Sequence, residues 1–266
     1  MSKLAPLALG LTLLGLVVAE VAHAGAFRVV PIRLFLTGRD KSSVLEITNQ
    51  DKRKLTLQLD VRAWHQDDAG MDQYEPTSDI VFFPRIVTLE PDEKQVVRLG
   101  VRGKPTPDME RTYRFFIEEL PVESPGGQVM LKFVLKIGVP IFISPLEQSS
   151  DWKITDIKVD TRAAIVTVKN SGNRHIQVGE LQVKAMGEDG AELFSGKGQG
   201  WYVLGGHTRQ FRVDLPEAAC TAVRKLAVSV AVFKETSESE ASVQPDAAQC
   251  TPPAEHKALG NPGGSR

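Results

Sequence analysis

The sequence has little of what most functional classes require. Its 266 residues include only two cysteines and five histidines, too few for a disulfide-dense miniprotein or a dedicated zinc cage. The 32 lysines and arginines balance 33 aspartates and glutamates, so the chain has no global positive field to hold a nucleic acid. The motifs G-x-S-x-G and H-E-x-x-H and the Walker loop are absent. We therefore predict a protein that is not an enzyme, uses no cofactor or metal and binds no nucleic acid.

Long apolar runs are also missing, except at the N-terminus. A short positive start is followed by an apolar run from Leu4 to Ala19, and Ala22-His23-Ala24 is a typical cleavage site. We predict that residues 1–24 are a secretory signal peptide and that the mature chain starts at Gly25. The alternative is a transmembrane anchor, for which a run of about 16 residues is short. The mature protein is therefore expected to be soluble and exported.

Export changes the interpretation of the two cysteines. In an oxidising compartment, two cysteines usually pair. We predict a disulfide between Cys220 and Cys250, which closes a loop of about 30 residues and stabilises the fold by ~3 kcal/mol in the chain-entropy view. No C-x-x-C motif and no suitably spaced histidine favours a reactive or metal-binding thiol instead.

Apolar and polar residues alternate with a period of two through most of the chain. From Ala26 to about Ile143 this pattern predicts seven or so short strands, and from Trp152 to Phe233 it predicts six more. Such spacing is typical of antiparallel sandwiches. We predict an all-β protein with two β-sandwich domains, at residues 25–146 and 147–250, and a disordered tail over 251–266.

Three segments interrupt this pattern. Asp67, Asp68 and Asp72 lie around Gly70 and could suggest calcium, but we interpret them as a solvated hairpin turn. The glycine-rich stretch from Gly196 to Gly200 lacks the spacing of a phosphate-binding loop, and we predict a hairpin loop. The chain after Phe233 is rich in Ser, Glu, Ala, Pro and Gly, so we predict that it is mobile apart from a tether at Cys250.

An unusually long apolar stripe precedes the end of the first β region. Six alternate positions are large and apolar, over a strand of ~33 Å, namely Val129, Leu131, Phe133, Leu135, Ile137 and Val139. One interpretation is a long core strand. The other is an edge strand used for β-augmentation, in which backbone groups pair with a partner strand and alternate side chains fill the partner's core.

Further motifs carry a resemblance to a known family. Leu89 to Arg98 follows the pattern L-x-P-x-x-x-x-x-V-R, Glu110 to Pro121 is similar to the segment before the family's donor strand, and Val44 to Asn49 resembles an early strand. In this order and spacing they resemble the PapD-type periplasmic pilus chaperones. The resemblance implies two immunoglobulin-like domains in a boomerang arrangement. It also implies a periplasmic chaperone that caps fimbrial subunits by donor-strand complementation and delivers them to an outer-membrane usher.

The resemblance also implies which residues bind the subunit. The donor-strand side chains would be Val129, Leu131, Phe133, Leu135 and Ile137, each contributing ~1.5–3 kcal/mol when buried. Two basic residues of the family anchor the subunit's C-terminal carboxylate, and Arg33 matches the first. Pro140 stands where the second, a lysine, is usual, and Ser144 replaces a family arginine. These departures resemble a divergent, non-classical branch, and we suggest Arg114, or else Lys136, as the second anchor.

Two other functions remain open on the sequence. The protein could itself be an exported β-sandwich fimbrial subunit or surface adhesin, or it could be a secreted hydrolase. No compact polar cluster supports the hydrolase. The free protein is expected to conceal the apolar stripe, with self-association as one means, because an exposed patch of this length is a liability.

Overall fold

The alternating segments fold into two β-sandwiches, which a computed structural model describes over residues 27–103, 108–121, 134–233 and 235–251. The predicted signal peptide lies outside the described residues. So do the stripe residues Val129, Leu131 and Phe133, and the predicted tail beyond residue 251. The all-β, two-sandwich architecture predicted from the sequence is confirmed.

Ten strands of the described chain build the first sandwich. They are β1 (Phe27–Val30), β2 (Leu34–Leu36), β3 (Ser42–Asn49), β4 (Leu55–Gln66), β5 (Asp72–Pro76), β6 (Ile80–Phe83), β7 (Ile86–Leu89), β8 (Lys94–Val101), β9 (Arg111–Glu119) and β10 (Lys136–Ile143). One sheet has the order β1-β3-β8-β6, and the other has the order β2-β10-β9-β4-β5 with β7 paired to β4. Alternate side chains of both sheets meet in one core, in which Leu57, Phe115 and Ile141 are fully buried.

The second sandwich has eight strands and one short helix in the described residues. They are β11 (Trp152–Asp160), β12 (Ala163–Asn170), β13 (Ile176–Met186), β14 (Glu192–Gln199), β15 (Tyr202–Val203), β16 (Thr208–Asp214), α1 (Glu217–Ala222), β17 (Lys225–Val232) and β18 (Glu235–Ser242). Its sheets have the orders β11-β12-β16 and β14-β13-β17-β18, with β15 paired to β13. The predicted disulfide is confirmed, because Cys220 on α1 is bonded to Cys250 within the second core. No helix in the described part of the chain is long and apolar enough to cross a membrane.

The predicted hairpin loop at Gly196–Gly200 is wrong, because most of this segment lies in β14. Gly196 and Gly198 pair with β13. A side-chain carbon added to Gly198 would lie 2.9 Å from Leu181 Cδ2 and 3.0 Å from Val213 Cγ2. The glycines therefore mark a place where side chains of the sandwich pack directly on a strand backbone.

The predicted mobility of the chain after Phe233 is also wrong over Glu235–Ser242. This segment is β18, which pairs along its length with β17. Its side chains alternate between exposed and half-buried, and none is fully buried. Backbone hydrogen bonds to β17 therefore order a sequence that has almost no apolar side chains to signal a strand.

A small aromatic core joins the two sandwiches. This interdomain cluster consists of Trp64, Phe142, Tyr202 and Leu204, with Trp201 partly buried against it. The rings of Trp64 and Tyr202 meet edge to face with centroids 5.5 Å apart. The ring of His175 stacks on Phe142 with a centroid distance of 3.6 Å.

Polar contacts reinforce this junction. The side chain of Gln66 donates to the Tyr202 carbonyl at 2.9 Å and accepts from the Leu204 amide at 2.9 Å, so it bonds to the second domain as a strand backbone would. The carboxylate of Glu110 accepts from the His175 backbone N–H at 2.8 Å and lies 2.6 Å from His175 Nδ1. Apolar and polar contacts together hold the two domains in one arrangement.

Candidate functional site

Strand β10 has an open edge over most of its length. It pairs with β9 from Lys136 to Ile143, whereas β2 pairs with it only from Ile141 to Ile143. The Leu135 carbonyl accepts from the Glu119 amide, so the backbone groups of Leu135 point toward β9. Backbone groups of successive residues point to opposite sides of a strand, so those of Lys136 and Gly138 point to the open side. Among the described residues, no strand covers this side. An added strand could therefore continue the sheet here.

The inner face of β10 continues the core of the first domain. Val139 and Ile141 are fully buried, and Leu135 and Ile137 pack half-buried against the same core. The two predicted donor-strand residues that the structure describes thus lie on the core side of the sheet, beside its open edge. The other three, Val129, Leu131 and Phe133, lie outside the described residues.

The outer face of the same sheet carries a row of basic residues. Arg114 on β9 is the register partner of Pro140 on β10. Arg33 immediately precedes the parallel pair of Leu34 and Ile141, so its backbone lies close to Pro140. Two strand spacings then separate Arg33 from Arg114 by about 10 Å. The backbones of both predicted anchors therefore lie near the same end of β10. Arg33 is exposed and forms no ion pair with a described residue.

Arg114 is a buried cation that forms no ion pair with any residue the structure describes. Its side chain lies in the interdomain cluster, with its guanidinium carbon 4.0 Å from the Trp64 ring centroid and 5.4 Å from that of Trp201. Its Nη1 donates to the Gly138 carbonyl at 3.3 Å, whereas Nη2 is buried and has no hydrogen-bond partner among the described residues. A buried charge that lacks a counter-ion is costly, so an anion that reached this guanidinium would be stabilised by it.

The pKa of the Tyr74 hydroxyl depends on the nearby charges of Arg114 and Asp72. Burial raises the pKa of Tyr74 above its ordinary value. The positive charge of Arg114 opposes that rise, and the Asp72 carboxylate, 3.4 Å from the hydroxyl, adds to it. Tyr74 therefore stays protonated at neutral pH, and its hydroxyl donates to Asp72 Oδ2.

Gly138 allows Arg114 to lie across β10. A side-chain carbon at this position would lie 3.2 Å from Arg114 Cδ and 3.2 Å from Phe116 Cε1, which is closer than most side chains tolerate. Gly138 is not among the site residues predicted from the sequence. A glycine inside an otherwise apolar strand was the available signal, because such a glycine often marks a close approach.

Lys136, the weaker anchor candidate, is already compensated. Its Nζ lies 2.8 Å from Glu118 Oε2, and it lies 5.1 Å from the Phe116 ring centroid. Both partners of the ion pair are about half exposed, so water screens the pair. Unlike Lys136, the other two anchor candidates, Arg114 and Arg33, form no ion pair with a described residue.

Comparisons with known proteins agree with this architecture. Residues 26–148 match the family model for the PapD N-terminal domain of pili and flagellar-assembly chaperones. No curated protein sequence gives a match. Solved structures match along most of the chain. One is the CsuC–CsuE chaperone–tip adhesion subunit pre-assembly complex from archaic chaperone-usher Csu pili of Acinetobacter baumannii. It has 19% identity and a TM-score of 0.56, and covers 83% of this chain and 100% of that chain.

Two further structures have the same fold. The YadV chaperone matches with 13% identity and a TM-score of 0.54, covering 82% of this chain and 100% of that chain. The complex of SafA pilin with the SafB chaperone from Salmonella enterica matches with 14% identity and a TM-score of 0.50, covering 81% of this chain and 95% of that chain. At these identities the structural matches establish the fold, and the family model identifies what the first domain is similar to in sequence. The first domain of this chain therefore matches the N-terminal domain of PapD-type pilus-assembly chaperones, and the whole chain has the two-domain fold of such chaperones.

Proposed function

We propose that this protein is a periplasmic chaperone that captures fimbrial subunits at the open edge of β10 and holds their C-terminal carboxylate at Arg114 and Arg33. The observation that carries the proposal is the buried guanidinium of Arg114 beside that open edge, because its Nη2 has no hydrogen-bond partner among the described residues. The open edge of β10 is suited to bind a strand, and the Arg114 guanidinium is suited to bind a C-terminal carboxylate. Together they favour a partner that has both an unpaired edge strand and a free C-terminal carboxylate.

Strand addition supplies most of the binding energy in this proposal. The subunit's edge strand pairs with the outward backbone groups of β10 and of the segment before it. Leu135 and Ile137, with Val129, Leu131 and Phe133 further along, then cover the open core of the subunit. Each such side chain is worth about 1.5–3 kcal/mol when fully buried. Completing a fold supplies the free energy, so capture needs no nucleotide.

The carboxylate supplies the register. A charge-assisted hydrogen bond to a buried guanidinium is strong and directional. Register matters because a slip of one residue would turn every apolar side chain of the added strand to the wrong face. Arg114 marks a fixed point from which the strand pairing starts.

The known complexes with this fold support a subunit as the partner. One holds a chaperone with a tip adhesion subunit, and another holds a chaperone with a pilin. We propose the same class of partner for this chain, together with a periplasmic location and delivery to an outer-membrane usher. The alternative, a fimbrial subunit or surface adhesin, is not favoured, since the family model that matches is that of a chaperone.

An affinity purification tests the proposed function directly. The tagged mature protein is isolated from periplasmic extract of its own host while appendages are being made, and co-eluting proteins are identified by mass spectrometry. We expect one small exported β-rich protein in stoichiometric amount. An empty purification from such cells would contradict the chaperone function.

Gly138→Ala should weaken capture without unfolding the protein. The added methyl group pushes Arg114 or Phe116 from its place, and a displaced rotamer costs of order 0.5–1.5 kcal/mol, or roughly two- to tenfold in affinity. Titration of the co-purified subunit measures the change. Gly100→Ala is the matched control, because its added carbon lies 3.6 Å from the nearest side chain. Equal affinity of the Gly138→Ala variant and the wild type would show that Arg114 need not lie across β10.

A further inference from the structure

Asp72 connects the first domain to the second at the edge of the anion site. The sequence placed it in a solvated turn, but its side chain is only 14% exposed. Its Oδ2 accepts from the Trp201 indole N–H at 2.7 Å. Its Oδ1 accepts from Arg209 Nη1 at 3.2 Å and from Gln66 Nε2 at 3.0 Å. Both of its oxygens therefore accept hydrogen bonds. Two of its four side-chain donors, Trp201 and Arg209, belong to the second domain, and the other two, Gln66 and Tyr74, belong to the first.

The indole that Asp72 holds forms one wall around Arg114. Trp64 contributes the nearer ring from the first domain, while Trp201 and Tyr202 approach from the second domain at 5.4 Å and 5.8 Å. Aromatic faces attract a cation without neutralising its charge. They also keep water away, which strengthens any later interaction with an anion.

The charge of Asp72 does not compete for Arg114. Arg209 forms an ion pair with it, and no described carboxylate forms an ion pair with Arg114. The negative charge of Asp72 is thus paired with Arg209 within the domain junction. Arg114 keeps its positive charge for a ligand, although a carboxylate lies in the same neighbourhood.

We propose that Asp72 is a positioning residue of this anion site, which fixes the Trp201 indole against Arg114 so that the second domain completes the site. The inference rests on the proposed role of Arg114 as the carboxylate anchor. It adds that the anchor is a composite of both domains. A first domain without the Asp72–Trp201 hydrogen bond would hold Arg114 in a wetter, weaker site.

A small carboxylate probe tests the inference on the full mature chain. N-acetylglycine and N-acetylglycinamide are titrated while NMR follows the Arg114 Nε–H and Trp201 Nε1–H resonances. For the wild type we expect saturable binding of the acid and none of the amide. Asp72→Ala should weaken acid binding about fivefold, the effect of one ordinary hydrogen bond. Trp201→Phe removes the indole donor and should reproduce most of that loss, while the double variant should add little to it.

Arg209→Lys is the matched control. It alters the same domain contact but keeps the positive charge beside Asp72 and leaves the Trp201 bond in place, so acid binding should stay within twofold of the wild type. The positioning role is overturned if Asp72→Ala binds the acid as well as the wild type does. It is also overturned if Arg209→Lys loses as much, since the effect would then be general to the junction. A wild type that does not distinguish acid from amide would overturn the Arg114 anchor itself.

Discussion

Phe133→Asp is expected to abolish capture of the client subunit while the chaperone still folds. In the proposed complex, Phe133 is a central side chain of the stripe that covers the subunit's core. An aspartate there would have to bury an unpaired carboxylate, at a cost of several kcal/mol, or leave the groove unfilled. The expected loss is therefore at least a hundredfold in affinity.

Co-purification from the host periplasm measures this loss, with circular dichroism and urea unfolding as checks on the fold. Lys132→Asp is the matched control, because it places the same carboxylate on the next residue, which points to the opposite side of a strand. We expect it to capture the subunit nearly as well as the wild type. Full capture by Phe133→Asp would remove the donor-strand assignment.

Arg114→Gln should reduce capture by about 30- to 100-fold. Hydrogen bonds to charged groups contribute about 1.5–3 kcal/mol, and the buried setting of Arg114 puts it toward the upper end. The same variant should unfold at an equal or higher urea concentration, because it removes a buried charge that no described residue compensates. Weaker subunit binding together with equal or higher stability of the Arg114→Gln variant would show that Arg114 serves binding rather than folding.

The subunit identified by affinity purification serves as the ligand, with its native C-terminus and with that terminus extended by two glycines. Arg114→Gln should weaken binding of the native subunit and change binding of the extended one little. Arg62→Gln is the control, since Arg62 is the register partner of Arg114 on β4 but already forms an ion pair with Asp60 at 2.6 Å. Undiminished capture by Arg114→Gln would argue against a carboxylate anchor at this position.

Most of the fold could be predicted because alternation of apolar residues reports directly on sheets with one buried face. This holds for β4 and β17, where buried side chains alternate with less buried ones along most of the strand. It fails for β14 and β18. In β14 the inward positions include glycines, because the opposite sheet fills the space. In β18 the pairing is made by the backbone, and the serines and glutamates carry no hydrophobic period.

The site could be predicted only where strand register or family likeness supplied the position. Arg33 and Arg114 were suggested in that way, although their role as anchors stays a prediction. The aromatic wall and Asp72 could not be found, because they meet across the domain junction from segments more than 120 residues apart. The turn before Asp72 looked solvated, but it packs against β16. A side-chain carbon on Gly70 would lie 2.7 Å from Arg209 Cα.

The interdomain cluster has a consequence for how quickly a client is caught. Trp64, Phe142 and Tyr202 are packed between the sandwiches, so the relative orientation of the domains is set when the chain folds. Capture then requires no closing motion, and no domain freedom is lost when the subunit arrives. The association rate should follow encounter and alignment, with no slow hinge step. In the proposed capture, the subunit therefore adapts to a domain orientation that is already fixed.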